Sequence, residues 1–265
     1  MLNVPGAQLF VTELGDGPDL VLMLHGGPAA GHDYLRPGFD ALAEPGVRRL
    51  FYYDQRGCGR STLDAGVPLP GWQTHVADIE AIREQLGLPK LTILGYSWGA
   101  LLALLYATQH RDRVAKLALV SPAPAAARER AESAARLKAA SARPAVAALR
   151  ATLDTTDRRN RFALAVAGYF AKPSLAVGLT PFVVKQAAEA AVWTSLGDYD
   201  LRPPLRGLGV PALVVHGAED PIPLATAQAT ANALDAQFLA IEDCGHVPYV
   251  EAPDVLMPAL RTFLL

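Results

Sequence analysis

Residues 91–99 read Leu-Thr-Ile-Leu-Gly-Tyr-Ser-Trp-Gly, a short apolar run that leads into a G-x-S-x-G pattern. This pattern is typical of a sharp turn from a strand into a helix. Gly95 and Gly99 leave room where side chains would collide, and the apolar segment 100–107 is suited to the helix. We therefore predict that Ser97 lies at the tip of a strained turn. Backbone N–H groups of the helix N-terminus can stabilise negative charge there.

Apolar runs of strand length alternate with helical stretches on both sides of this turn. Helical spacing marks residues 75–86, which Gly87 ends, and residues 253–265 are predicted to close the chain as a helix. The alternation predicts an α/β fold, with a mostly parallel sheet covered by helices on both faces. The predicted strands are residues 9–14, 20–24, 49–53, 91–94, 114–120, 211–216 and 237–241.

A segment rich in alanine, arginine, leucine and glutamate interrupts this alternation and contains no convincing strand. Within it, residues 125–137 and 145–153 favour helix. We predict a helical cap of residues 122–200 inserted into a core of residues 1–121 and 201–265. Such an insertion would lie over the carboxyl ends of the strands, where ligands bind in open α/β sheets. The alternative is an additional helical layer that only adds stability.

The position of Ser97 suggests nucleophilic chemistry, which needs more than a serine. A serine hydroxyl is a weak nucleophile at neutral pH, so it requires a base within hydrogen-bond reach and an acid that orients the base. In this architecture the acid and then the histidine follow the serine along the chain. Asp220 and His246 each follow a predicted strand. We predict that Ser97, Asp220 and His246 act together, although Asp220 by itself could also cap the next helix.

Acyl transfer also needs two fixed donors for the negative oxygen of the tetrahedral intermediate. The backbone N–H of Trp98, directly after the serine, is the first candidate. The second is the N–H of Gly27, in the His-Gly-Gly-Pro stretch 25–28 that follows an apolar strand. We expect His25 to line the floor of the cleft, with a structural role and not that of a base.

Composition bounds the remaining possibilities. The chain has 265 residues, is 51% hydrophobic and carries a net charge of -2 with a pI of about 6.3, which does not suit a nucleic-acid partner. No apolar run has the length of a membrane span, and the N-terminal residues do not resemble a signal peptide, so we expect a cytoplasmic protein. Metal-binding and dinucleotide-binding motifs are absent, so we predict neither metal nor cofactor. Cys58 and Cys244 are interpreted as packing thiols.

Together these residues resemble the α/β-hydrolase superfamily over nearly the whole chain. Three segments further resemble the proline iminopeptidase family of serine peptidases. They are His-Gly-Gly-Pro at 25–28, Asp-Gln-Arg-Gly-Cys-Gly-Arg-Ser at 54–61, and Ser-Trp-Gly at 97–99. We interpret the loop 54–61 as a hydrogen-bonded turn that braces the site. By this resemblance the triad and oxyanion roles fall on the residues named above. Two positions depart from the family, with Ala29 and Tyr96 where glycine is usual.

The resemblance implies an aminopeptidase that releases an N-terminal proline or another small apolar residue from a short peptide. Members of this family hold the free amino terminus with carboxylates of the cap. Glu189, near Trp193, is one candidate, and Asp198 and Asp200 are others. A carboxylesterase or small-amide hydrolase is the alternative, and a non-catalytic receptor of the same fold is a third reading. An acid facing the cleft would favour the aminopeptidase, and an apolar lining would favour the esterase. The lining is predicted to include Trp98, Phe170, Trp193 and Tyr249.

Overall fold

The structure is a computed structural model that describes residues 1–265. It contains ten strands, most of which coincide with the apolar runs of the sequence. They are β1 (Leu2–Val4), β2 (Ala7–Leu9), β3 (Val11–Leu14), β4 (Asp19–Leu24), β5 (Arg48–Tyr53), β6 (Thr62–Leu63), β7 (Leu91–Tyr96), β8 (Val114–Val120), β9 (Ala212–Gly217) and β10 (Gln237–Ile241).

Eleven α-helices connect or cover these strands, and short 3-10 turns lie between some of them. They are α1 (Arg36–Phe39), α2 (Trp72–Gln85), α3 (Trp98–Gln109), α4 (Arg130–Ser141), α5 (Pro144–Thr152), α6 (Arg158–Val166), α7 (Gln186–Leu196), α8 (Arg202–Leu205), α9 (Leu224–Leu234), α10 (Pro248–Glu251) and α11 (Pro253–Leu264). None of them is long and apolar enough to span a membrane.

Seven strands form the central sheet, in the order β10-β9-β8-β7-β4-β5-β3. All neighbouring pairs are parallel except β3 with β5 at one edge. The central strands β4, β7, β8 and β9 are almost entirely buried, because helices cover both faces of a parallel sheet. The α/β prediction is confirmed. A separate small sheet holds β1, β2 and β6.

Helix α3 follows β7 directly and forms part of the interior of the molecule. All residues from Trp98 to Ala107 are buried. A helix that is apolar on every side is suited to such a position, because every side contacts other protein atoms. The helix therefore fixes the turn at its N-terminus, which carries Ser97.

Two predicted elements differ from the structure. The predicted strand 9–14 is divided at Phe10, because β2 pairs with β1 whereas β3 joins the central sheet beside β5. The predicted helix 125–137 begins only at Arg130, after a 3-10 turn. The residues before it are extended, and the carbonyl of Ala125 accepts a hydrogen bond from the N–H of Leu201 at 2.8 Å. Tertiary pairing thus overrides the helix propensity of alanine at this point.

Helices and 3-10 turns account for the regular structure between β8 and β9, although those two strands are neighbours in the sheet. We call residues 122–200 the helical segment. Its α7 is joined to α2 by a hydrogen bond from the N–H of Trp72 to the Ser195 hydroxyl at 2.9 Å. The loops after β4, β7, β9 and β10 leave the sheet at one edge, because parallel strands have their carboxyl ends together. The helical segment shares a cavity with these loops.

Candidate active site

The turn between β7 and α3 has the strained geometry expected from its sequence. Ser97 has φ 54° and ψ -117°, a left-handed backbone that serine rarely adopts. A Cβ atom at Gly99 would lie 2.1 Å from the carbonyl oxygen of Leu24, and one at Gly95 would lie 2.5 Å from the carbonyl oxygen of Gly99. Glycine at both positions therefore lets helix and strand approach closely enough to present the serine at the end of the sheet.

Ser97, His246 and Asp220 come together in a chain of hydrogen bonds. The Oγ of Ser97 lies 3.0 Å from Nε2 of His246, and Nδ1 of His246 lies 2.7 Å from Oδ2 of Asp220. Because the carboxylate accepts from Nδ1–H, the neutral ring has Nε2 free to accept the serine proton. The histidine and the aspartate are each only 5% exposed, whereas the serine is more accessible.

Asp220 is held by its own loop and does not cap a helix. Its Oδ1 accepts the N–H of Ile222 at 2.7 Å. Helix α9 begins only at Leu224, with Pro223 at its N-cap. His216, at the end of β9, approaches the same carboxylate at 3.5 Å, and its Nε2 lies 2.9 Å from the carbonyl oxygen of Ile222. The aspartate is therefore fixed on one oxygen and presents the other to His246.

The loop that carries His246 is held by contacts that the sequence did not suggest. The N–H of His246 donates to the carbonyl of Tyr169 in the helical segment at 2.7 Å. The carboxylate of Glu251 accepts the N–H groups of Gly245 at 3.0 Å and Val247 at 3.3 Å. The only feature of the sequence that points to Glu251 is its position five residues after His246.

Tyr96 contacts the same loop from the other side. Its hydroxyl donates to the carbonyl of His246 at 3.1 Å, and the two rings lie 5.4 Å apart. Burial raises the pKa of Tyr96 well above its ordinary value, so the phenol keeps its proton and can donate. The tyrosine that departs from the family pattern therefore has a structural partner in the His246 loop.

The two backbone donors predicted for an oxyanion hole border the cavity beside Ser97. Gly27 and Trp98 both line it. Gly27 has φ 125°, which glycine adopts readily. The preceding N–H, of Gly26, already donates to the Tyr34 hydroxyl at 2.7 Å. The N–H of Gly27 makes no hydrogen bond within the chain. Of the two neighbouring glycines, Gly27 is therefore the one whose N–H is available to a substrate.

His25 does not reach the cavity, which corrects the expectation that it lines the cleft floor. It is fully buried, and the N–H of Gln55 donates to its Nε2 at 3.0 Å. The Gln55 side chain also donates to the His25 carbonyl and accepts from the Trp98 indole, both at 2.8 Å. Burial lowers the pKa of His25 to about 4, so the ring is neutral at pH 7. His25 therefore supports the turn from below.

The loop 54–61 has the geometry of a braced turn. Asp54 accepts the N–H of His32 at 2.8 Å and the N–H of Arg60 at 2.7 Å. Burial by itself would raise the pKa of Asp54, but hydrogen bonds from His32 and Arg60 lower it well below its usual range. Arg56 donates from Nε to Asp78 on α2 at 2.9 Å. The loop thus joins the region after β4 to α2.

A cavity of about 490 Å³ opens above Ser97, between the strand ends and the helical segment. Of the predicted lining residues, Trp98, Trp193 and Tyr249 border this cavity, and Glu189 borders it as well. Phe170 is buried in the apolar core and does not line it, whereas its neighbour Tyr169 does. The other lining side chains are mostly apolar; they include Tyr34, Ala134, Leu137, Val166, Leu179, Phe182, Val184, Ile222 and Val247.

Glu189 is the one carboxylate in the cavity lining, and Arg130 is the one lysine or arginine there. Burial raises the pKa of Glu189, while the Trp193 side chain and the charge of Arg130 oppose the shift. Asp198 and Asp200, the other predicted acids, do not line the cavity. Asp200 forms an ion pair with Arg202 at 2.5 Å instead. No sequence pattern distinguishes Arg130 from its neighbours, because it lies in a run of arginines and glutamates that is typical of an exposed surface.

No group of three or more histidine, cysteine, aspartate or glutamate side chains is placed to hold a metal ion. Cys58 and Cys244 are both free and buried. Burial raises the pKa of each thiol to about 12, so neither forms a reactive thiolate at neutral pH. These cysteines occupy packed positions in the structure.

The mostly parallel sheet and the serine turn at its carboxyl edge are those of the α/β-hydrolase class. Residues 19–253 match the family described as the alpha/beta hydrolase fold, and the chain belongs to this family. It is a hydrolase of the α/β family. Its known relatives include a proline iminopeptidase of Lactobacillus delbrueckii subsp. bulgaricus. That protein is 30% identical over 266 residues, which cover 92% of this chain and 90% of the relative.

Solved structures with the same fold include proteins of more than one kind. A proline iminopeptidase-related protein from Thermus thermophilus is 25% identical and has a TM-score of 0.75. The match covers 99% of this chain and 95% of that one. An esterase from Exiguobacterium antarcticum is 24% identical, with a TM-score of 0.71 and coverage of 98% and 97%. At this identity the esterase is informative about the fold alone.

Proposed function

We propose that this chain is a serine hydrolase in which Ser97, His246 and Asp220 carry out acyl transfer. The observation that carries the proposal is the continuous hydrogen-bonded chain from the Ser97 hydroxyl through the His246 ring to the Asp220 carboxylate. Ser97 lies in the lining of a mostly apolar cavity, and electrostatic interactions are stronger in apolar surroundings than in bulk water.

The mechanism follows from the positions of these groups. His246 accepts the proton of Ser97 as the serine oxygen attacks the substrate carbonyl, and Asp220 holds the ring in the required tautomer. The N–H groups of Gly27 and Trp98 stabilise the negative oxygen of the tetrahedral intermediate. His246 then protonates the leaving amine or alcohol. Water repeats the sequence on the acyl-enzyme and releases the acid.

We propose an aminopeptidase that releases an N-terminal proline or another small apolar residue. Glu189 supports this, since it is the carboxylate that faces the cavity and can hold a protonated amino terminus. The proline iminopeptidase relative supports it as well, because it covers most of both chains. We further propose that the helical segment is a cap on a core of residues 1–121 and 201–265, since α4 and α7 line the cavity with Ser97.

A carboxylesterase or small-amide hydrolase is the second candidate. The observation that favours it is the apolar character of the cavity, in which 15 of the 23 lining residues are hydrophobic. Glu189 is the one carboxylate there, whereas the resemblance to proline iminopeptidases implies several. An apolar acyl group without a charged amino terminus would suit such a lining.

Two measurements test these proposals. A fluorophosphonate probe should label Ser97, as located by mass spectrometry; labelling elsewhere or not at all would remove the serine-hydrolase mechanism. Rates on a prolyl arylamide and on a short-chain nitrophenyl ester then separate the two candidates. For an aminopeptidase, Glu189→Gln lowers the arylamide-to-ester rate ratio by about tenfold or more, because a charge-assisted contact to the amine is lost. Asp198→Asn, outside the cavity, is the matched control.

A further inference from the structure

Arg130, at the first turn of α4, lies in the cavity wall opposite the carboxyl ends of the strands. Its guanidinium carbon lies 3.9 Å from the centre of the Trp193 ring. The Trp193 ring in turn lies 5.3 Å from the ring of Trp98, the residue directly after Ser97. The Trp193 ring therefore lies between Arg130 and Trp98, the residue next to the proposed nucleophile.

This guanidinium has no carboxylate partner within the chain. By contrast, Arg136 of the same helix pairs with Glu132 at 2.8 Å, and Arg202 at the start of α8 pairs with Glu129 at 2.7 Å. Arg130 forms no ion pair within 4.0 Å and no hydrogen bond. It contacts the indole face, which fixes the plane of the guanidinium without using its N–H groups.

A planar cation with free N–H groups is suited to a carboxylate ligand. Arginine binds carboxylates through two parallel hydrogen bonds, and charge-assisted pairs of this type exceed neutral ones in strength. The mostly apolar surroundings limit competition from water. Glu189 also lies in this lining, and its pKa is influenced by Arg130. The cavity thus contains one positive and one negative side chain near the same indole.

We propose that Arg130 binds the terminal carboxylate of the leaving amino acid, so that dipeptides with a free C-terminus are the preferred substrates. The inference rests on the aminopeptidase function proposed above. In that function the released residue has an apolar side chain and its amino group faces Glu189, so it has no carboxylate to offer Arg130. The anion must therefore belong to the leaving group. In a dipeptide the terminal carboxylate is only one residue from the scissile bond.

The first test uses the unmodified protein with two substrates that differ in one charge. Pro-Ala and Pro-Ala-amide share the scissile bond, the amino terminus and the side chains, but only Pro-Ala has a carboxylate. We expect kcat/KM to be about five- to tenfold higher for Pro-Ala, as for an ion pair at a half-buried site. The advantage should decrease as ionic strength rises, because salt screens partly exposed pairs.

The second test assigns the preference to Arg130. Arg130→Gln should reduce the ratio of the two kcat/KM values to about one, and Arg130→Lys should leave an intermediate ratio, because lysine keeps the charge but loses the planar fork. Arg136→Gln is the matched control. It removes an exposed, ion-paired arginine of the same helix that does not line the cavity, and it should keep the full ratio.

The outcomes separate the two proposals. Equal rates on Pro-Ala and Pro-Ala-amide in the unmodified protein would overturn the role of Arg130 and leave the aminopeptidase intact. A preference that persists in Arg130→Gln would also overturn it. If neither compound is cleaved while fluorophosphonate labels Ser97, the aminopeptidase proposal fails, and the dipeptide inference fails with it.

Discussion

Ser97 has a backbone conformation that its neighbours impose on it. Its φ of 54° is sterically unfavourable for serine, and it persists because β7 and α3 hold the residue on both sides. The N–H of Ser97 donates to the carbonyl of Val120 in β8 at 3.0 Å, and its carbonyl accepts the N–H of Ala123 at 3.1 Å. The hydroxyl is thus fixed towards His246 by main-chain contacts that do not involve the side chain.

Ser97→Ala should therefore fold normally and lose hydrolysis. Alanine can occupy the same backbone conformation within the same main-chain hydrogen bonds, but it has no oxygen to attack a carbonyl. We expect turnover to fall by more than about 10⁴-fold, in line with the loss of other serine nucleophiles. Steady-state rates and the melting temperature, measured on the same preparation, check both expectations. Substantial turnover in a well-folded variant would remove Ser97 as the nucleophile.

At the scale of elements, the His246 loop is joined to the helical segment through Glu251. One carboxylate oxygen of Glu251 accepts N–H groups of the loop, and the other accepts the N–H of Ala171 at 2.8 Å. Gly245 makes this approach possible, because a Cβ there would lie 2.3 Å from the carbonyl oxygen of Tyr169. The position of the helical segment is therefore coupled to that of the histidine ring.

Glu251→Gln should lower kcat more than it raises KM. The amide nitrogen of glutamine cannot accept a hydrogen bond, so one of the backbone N–H groups loses its acceptor and the His246 loop shifts. We expect kcat to fall by about tenfold, since catalytic groups tolerate little misplacement. Glu242→Gln, an exposed glutamate just before the same loop, is the control. If both variants keep the original kcat, Glu251 does not position the histidine.

For the whole molecule, buried histidines link stability to pH. Burial lowers the pKa of His75 to about 3 and that of His25 to about 4, from 6.5 in the unfolded chain. Below pH 6.5 the unfolded chain binds protons that the folded chain does not. Burying these two histidines in their neutral form therefore costs no stability above pH 6.5. As the pH falls from 6.5 towards the lower pKa values of the folded chain, the free energy of unfolding decreases.

His75→Phe should make the free energy of unfolding less dependent on pH. The His75 ring packs edge-on against Trp98, and its Nδ1 has no hydrogen-bond partner, so phenylalanine can replace it without loss of a polar contact. As the pH falls from 6.5 to 5, the decrease in slope should grow towards about 1.4 kcal/mol per pH unit, the value for one proton, because the unfolded histidine becomes almost fully protonated. Chemical denaturation at several pH values measures this slope. An unchanged slope would show that His75 is not a proton-linked group.

The amino-acid sequence was sufficient to locate most strands of the central sheet, the serine turn and the aspartate and histidine that join it. These features depend on local rules, since apolar runs mark buried strands and glycines mark the sharp turn. The same rules allowed Asp220 and His246 to be selected by their places after β9 and β10. The geometry brings both within hydrogen-bond distance of the predicted partners.

Which polar side chains face the cavity depends on tertiary packing. Glu189 faces it and Asp200 does not, because Asp200 pairs with Arg202, and no local pattern distinguishes the two acids. His25 does not face the cavity, and its Nε2 accepts a hydrogen bond from the N–H of Gln55, 30 positions further along the chain. Arg130 is distinguished from the other arginines by its contact with the Trp193 ring. Such contacts join residues distant in sequence, so their partners are set by the packing of whole elements and not by the periodicity of any one of them.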